Sequence, residues 1–239
     1  MDMKKTKLVG FLIAAIFLIS VVSSISPSTS AEKTDLEKLT FIHYRDGSIK
    51  IIEKENPAKQ ATCYKLMGVK WSSLPVNYVI NPTNPQNLPE SFITSAISTS
   101  AETWDNATSR ELFNDSYTIN YYAQYGVQNF ENAIVFGSYP NNGVIAVTSI
   151  WYNRKTKQIV EFDMLFNTYY TWGDATQNST VMDLQNIATH EFGHSVGLND
   201  VYITQCSSVT MYGYSDYGET QKRTLEQPDI TGLQKIYGA

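Results

Sequence analysis

Two histidines four residues apart, followed three residues later by a glycine, constrain this chain more than any other feature. The stretch His190-Glu-Phe-Gly-His194-Ser-Val-Gly197-Leu-Asn-Asp200 requires a helix that stops sharply. Residues four apart stand one above another on a helix face, so two imidazoles can share one cation without bending the backbone. Asp183, Leu184, Ile187, Ala188, Glu191 and Phe192 recur with helical period, which predicts a helix over about residues 180–196. Gly197 stands where a helix ends in a left-handed residue. Lacking a Cβ, it accepts positive φ and can turn the chain back toward the ion. Asp200 is the expected third ligand, since catalytic zinc generally keeps three protein ligands and one open position. Its rivals are His43, the one histidine outside the motif, and a more distant carboxylate or tyrosine. Glu191 projects beside the first imidazole, where a carboxylate can take a proton from a water and later deliver it to a leaving amine. Phe192 and Gly193, between the ligands, read as core packing and close helix contact.

The first 31 residues read as a secretory signal: Met1, a basic stretch with Lys4, Lys5 and Lys7, an apolar run from Leu8 to Val22, and a Ser/Thr/Pro-rich segment ending at Ala31. The apolar run covers 15 positions, short of the roughly 20 that a membrane-crossing helix needs. Secretion is therefore expected, with no membrane association once the signal is gone. The net charge is −5, and removing the leader, with three Lys and one Asp, leaves the rest more acidic. Scattered Lys and Arg on an acidic chain exclude nucleic acid as an expected partner. Two cysteines, Cys63 and Cys206, read first as a disulfide in an exported protein. The alternative is that Cys63 caps the metal from a removable segment.

Length and composition, 239 residues of which 42% are hydrophobic, suit one well-buried domain. Residues 32–68 read as a short pro-segment or N-terminal extension, with a hairpin suggested by Phe41–Tyr44, a turn at Asp46-Gly47, and 49–52. Residues 69–239 form the expected catalytic domain. A half-buried strand is predicted over Trp71–Asn81, then an amphipathic helix from Pro89 through Trp104. Strands are predicted at Ile119–Tyr122, Ala133–Phe136, Val144–Tyr152 and Ile159–Phe166, with a turn at 153–158 between the last two. The order of elements implies an α+β or mixed three-layer domain.

With its extended motif, the chain resembles a metzincin zinc peptidase of the matrixin branch. Met211, in Ser208-Val-Thr-Met211-Tyr-Gly213, resembles the structural methionine turn of that branch, and Leu225–Gly238 resembles its final helix. Trp71–Ile80 resembles its first strand, and Glu161–Asn167 with Trp172 resembles the strand and loop before its active-site helix. The resemblance covers about residues 69–239. It implies a metzincin-like fold, a twisted, mostly parallel mixed sheet packed with an upstream helix, the active-site helix and a C-terminal helix. It further implies a monomeric endopeptidase acting on proteins or peptides, with metal ligands His190, His194 and Asp200, catalytic Glu191 and one zinc. Tyr212 or Tyr214 could donate to the oxyanion.

The usual third ligand is a histidine; aspartate is also seen in small secreted bacterial peptidases of the snapalysin type. No histidine lies between His43 and His190, so the loop that carries a structural zinc in animal matrixins has no counterpart. The Pro-Arg-Cys-Gly setting of a metal-capping cysteine is absent as well: Cys63 stands in Ala61-Thr-Cys-Tyr-Lys65. Calcium sites cannot be derived from the sequence. Other readings are a zinc amidase acting on a cell-wall peptide or other non-protein substrate, and a catalytically silent binding module. Retention of Glu191 beside three ligand-type residues speaks against the second.

Overall fold

The computed structural model describes residues 35–49 and 62–239. The expected signal, and the returning strand of the hairpin beyond residue 49, lie outside the described residues. A seven-stranded sheet is formed by β1 (Leu36–Arg45), β2 (Val79–Asn81), β3 (Thr118–Ile119), β4 (Ala133–Gly137), β5 (Val144–Asn153), β6 (Ile159–Asn167) and β7 (Tyr214–Ser215). Their spatial order is β7-β1-β5-β6-β4-β2-β3. The pairs β6/β4, β4/β2, β2/β3 and β1/β7 are parallel, whereas β5 runs antiparallel to both β6 and β1. This is the expected α+β fold with a mostly parallel mixed sheet and three helices: α1 (Glu90–Asp105), α2 (Leu184–Ser195) and α3 (Gln227–Tyr237). No helix among the described residues is long and apolar enough to cross a membrane.

The central strands are almost continuously apolar or β-branched, and β5 is buried along nine of its ten residues, as expected of a strand covered on both faces. α1 presents Ile93, Ile97, Ala101 and Trp104 to the same core that receives Ile187, Ala188 and Phe192 of α2. Trp104 Nε1 donates to the carbonyl of Thr189 at 2.7 Å, pinning the two helices together.

Three boundaries differ from the sequence reading. The Trp71–Asn81 strand shortens to β2, because Pro75 has no N–H to give a ladder; between Trp71 and Tyr78 only Val76 bridges, to Phe113. Likewise, Ile119 ends β3 and the chain turns at Tyr121-Tyr122. α2 begins at Leu184 rather than near 180, since the Asp183 carboxylate accepts from Asn186 N at 2.8 Å and caps the helix there.

Cys63 is bonded to Cys206, 143 residues away in sequence. Beside this link Lys65–Leu66 pairs with Leu198–Asn199, immediately before Asp200. The thiol-capping alternative for Cys63 is therefore not the arrangement in the structure.

Candidate metal centre

Helix α2 stops as its sequence requires. Gly197 has φ +100°, and a Cβ there would lie 2.5 Å from the carbonyl oxygen of Val69, so both conformation and space demand glycine. The reversed chain brings Asp200 beneath the two imidazoles. Asp200 Oδ1 lies 3.2 Å from His190 Nε2 and 3.4 Å from His194 Nε2, and all three side chains are buried.

The hydrogen bonds around these groups fix which atoms are available. His190 Nδ1 faces the carbonyl of Thr210 at 2.7 Å, and His194 Nδ1 faces that of Leu198 at 2.9 Å. A carbonyl only accepts, so each Nδ1 carries the proton and each Nε2 presents a lone pair. Both Nε2 atoms and Asp200 Oδ1 are buried without a hydrogen-bond partner. Three electron-rich atoms converging in a dry site are costly unless a cation sits among them. Ligand bonds of about 2.0–2.1 Å in tetrahedral geometry place ligand atoms about 3.3–3.4 Å apart, close to the measured separations. The donor set, two imidazoles and a carboxylate, suits zinc. Burial opposes ionisation of Asp200, but His194 and His190 outweigh it and hold the carboxyl well below the usual range.

Beneath these three side chains, Met211 is fully buried and packs against Gly193 of α2. Its turn is held from α3: Asp229 accepts from Thr210 N at 2.9 Å, from Met211 N at 3.2 Å and from Glu226 N at 3.0 Å. Val201 N donates to Met211 O at 2.9 Å and Gly213 N to Val201 O at 3.0 Å, lacing the Asp200 loop to the methionine turn.

The chain matches the Matrixin family over residues 70–238. It belongs to the matrixins. It is 30% identical to human neutrophil collagenase over 172 residues, 71% of this chain and 33% of the collagenase. The hatching enzyme of Paracentrotus lividus is 36% identical over 77 residues, covering 32% of this chain and 12% of that protein. Human matrix metalloproteinase-16 is 26% identical over 181 residues, 73% of this chain and 28% of the relative. The chain thus spans a third or less of the length of these matrixins.

Glu191 lies beside the first imidazole, fully buried. One oxygen accepts from Thr148 Oγ1 of β5 at 2.5 Å; the other is 3.2 Å from His43 Nδ1 of β1. Burial alone would raise the Glu191 pKa, yet the bond from His43 and the neighbouring His190 and His194 hold it below its usual value. Burial first, and then His190, push His43 down to about 4. The neutral His43 ring therefore donates its Nδ1–H to the Glu191 carboxylate.

His43 is thus at the site, bonded to Glu191 rather than converging with His194 and Asp200. Two groups of candidate ligand atoms, each within 4.8 Å of one another, occur among the described residues: His190, His194 and Asp200 in one, and His43, His190 and Glu191 in the other. Thr148 left no sign in the sequence, nor did Tyr202, whose hydroxyl is pushed well up by burial and by the neighbouring Asp200. His43 left a faint one, the alternation Leu39, Phe41, His43 in a chain with only three histidines. Tyr212 and Tyr214 pack edge-on against each other, with centroids 5.6 Å apart.

Proposed function

We propose that this matrixin is a secreted, zinc-dependent endopeptidase that hydrolyses peptide bonds in proteins or peptides, with Glu191 as general base and His190, His194 and Asp200 as ligands of a single zinc. The observation that carries this reading is the convergence of three partnerless buried donor atoms at tetrahedral spacing, next to a carboxylate on the same helix. An aspartate as third ligand, as in snapalysin-type peptidases, places one negative charge among the donors where the usual matrixin has a neutral imidazole.

When bound, zinc supplies Lewis acidity, polarising the scissile carbonyl and lowering the pKa of water. The chain's own groups do the rest. Glu191, kept ionised by its neighbours, accepts the proton of the attacking water and returns it to the departing amine. Thr148 orients the carboxylate from β5. The carbonyls of Thr210 and Leu198 fix the imidazole tautomers, and Met211 forms the floor.

Zinc content and casein hydrolysis of the protein purified from culture medium test the reading. One zinc per chain and hydrolysis abolished by a chelator are expected. Glu191→Gln should keep the zinc and lose hydrolysis by a factor on the order of 100 or more, as expected for loss of a general base. Asp200→Ala should lose zinc. Full activity in Glu191→Gln, or undiminished zinc in Asp200→Ala, would overturn the corresponding assignment.

A further inference from the structure

Acids outnumber bases in this chain by 23 to 18, yet one small cavity reverses the balance. It has a volume of about 320 Å³ and lies between the last turn of α3, the turn joining β5 to β6, and the segment that begins at Leu66. Lys70, Lys157 and Lys235 line it, and no Asp or Glu does. Its apolar wall comes from Leu66, Val69 and Ile236. Leu66 is 40% exposed, a large hydrophobic side chain left open to solvent beside three cations.

The backbone holds these groups in place. Lys70 N donates to Lys157 O at 3.1 Å and Ile159 N to Lys70 O at 2.8 Å, so two of the lysines stand on tied segments. Lys157 has φ +59°, a left-handed conformation that glycine or asparagine adopts at less cost and that commonly closes hairpin turns. A lysine there gives up stability to bring its side chain to the cavity. The wall opposite is firm, because Val69 and Ile236 pack against Gly197 at the stop of α2.

Other cations of the same turn are already paired. Lys155 Nζ lies 2.6 Å from Asp35 and Arg154 Nε 3.9 Å from Glu37. Two of the cavity lysines meet rings instead: Lys157 Nζ is 5.4 Å from the Tyr152 centroid, and Lys235 Nζ is 5.0 Å from that of Tyr64. A ring steadies an ammonium group without cancelling its charge. Like charges around one small space repel until an anion enters. The volume suits a small ligand, and the apolar wall favours one that carries more than a charge.

We infer that this cavity binds a small anionic amphiphile, its apolar chain covering Leu66, Val69 and Ile236 and its carboxylate or phosphate head held among Lys70, Lys157 and Lys235. The site shares no residue with the metal centre, and the inference stands apart from the peptidase reading.

Equilibrium dialysis of the full chain against octanoate and octyl phosphate, both kept well below micelle formation, tests it. At least one should bind saturably, one per chain, with Kd below about 1 mM; the tighter of the two identifies the head. Octanol and acetate, which carry the tail and the head separately, should bind at least about tenfold more weakly. Lys70→Ala, Lys157→Gly and Lys235→Ala should each weaken binding about threefold, the scale of one exposed ion pair, and the triple variant should lose it. Lys157→Gly should nevertheless melt at or above the parent temperature, since it relieves the left-handed residue, so its weaker binding is not a loss of fold.

Failure of both octyl compounds to bind saturably would overturn the inference. So would octanol binding as tightly as octanoate, or undiminished binding by the triple variant. An acetylated tri-glutamate amide that bound in place of the octyl compounds would mark the surface as a protein contact, and would overturn it too.

Discussion

Gly193 stands in α2 between the two imidazoles that face the metal position, and Gly193→Ala sets two effects of known sign against each other. Alanine in a helix interior is favoured over glycine by about 1 kcal/mol. Against this, the new Cβ would overlap Met211 Sδ and come within 2.7 Å of Trp104 Cζ2, and both side chains are fully buried. Overfilling a packed core costs about 1–3 kcal/mol. The upper part of that range applies, because the Trp104 indole is pinned by its 2.7 Å bond to Thr189 O and cannot swing aside. The net expectation is destabilisation by about 1–2 kcal/mol, a fall in melting temperature of roughly 2–8 °C for a domain of this size. Because Met211 must shift, and Thr210 beside it holds His190, zinc affinity should fall with stability. Thermal melts followed by tryptophan fluorescence, together with zinc titrations of parent and variant, check both. A variant that melts at or above the parent temperature would refute the packing argument.

Replacing Cys63 and Cys206 together by alanine opens a loop of 143 residues and should cost up to about 5 kcal/mol on the chain-entropy account, read as a lower urea midpoint than that of the oxidised parent. Burial pushes Asp105 and Asp163 up to about 7, against the N–H groups of Leu112 and Phe113 and of Gly126 and Ala133 respectively. Between the ordinary carboxylate range and about pH 7 the folded state then holds protons that the unfolded chain has released, so stability falls as pH rises through that window. Urea midpoints across it should decline, and Asp105→Asn should flatten part of the slope; stability that climbs over the same range would contradict the assignment.

The helix carrying the motif was legible because its signals agree: an apolar period, a capping aspartate and a glycine stop all lie within one local stretch. β4, β5 and β6 were legible for a similar reason, as β-branched runs separated by turn residues. The Trp71–Asn81 strand was over-read, because alternation of side chains says nothing about whether Pro75 can join a ladder. What the sequence hid was non-local. Phe41 and Thr148 face one another across the β1/β5 ladder, and no local pattern reports a pairing between segments that far apart. His43 stands 148 residues before Glu191, and the pairing of β1 with β5 brings it to that carboxylate.

The Cys63–Cys206 link anchors the N-terminal arm beside the Asp200 loop. The stub that follows it carries Lys65–Leu66, which braces Leu198–Asn199 against the Asp200 loop. A cut before Cys63 spares that brace; one just after it severs the stub from its anchor and loosens the aspartate from below. The position of a single covalent bond therefore sets the downstream limit of any harmless trimming, and an over-trimmed chain should betray itself first as a poor holder of zinc.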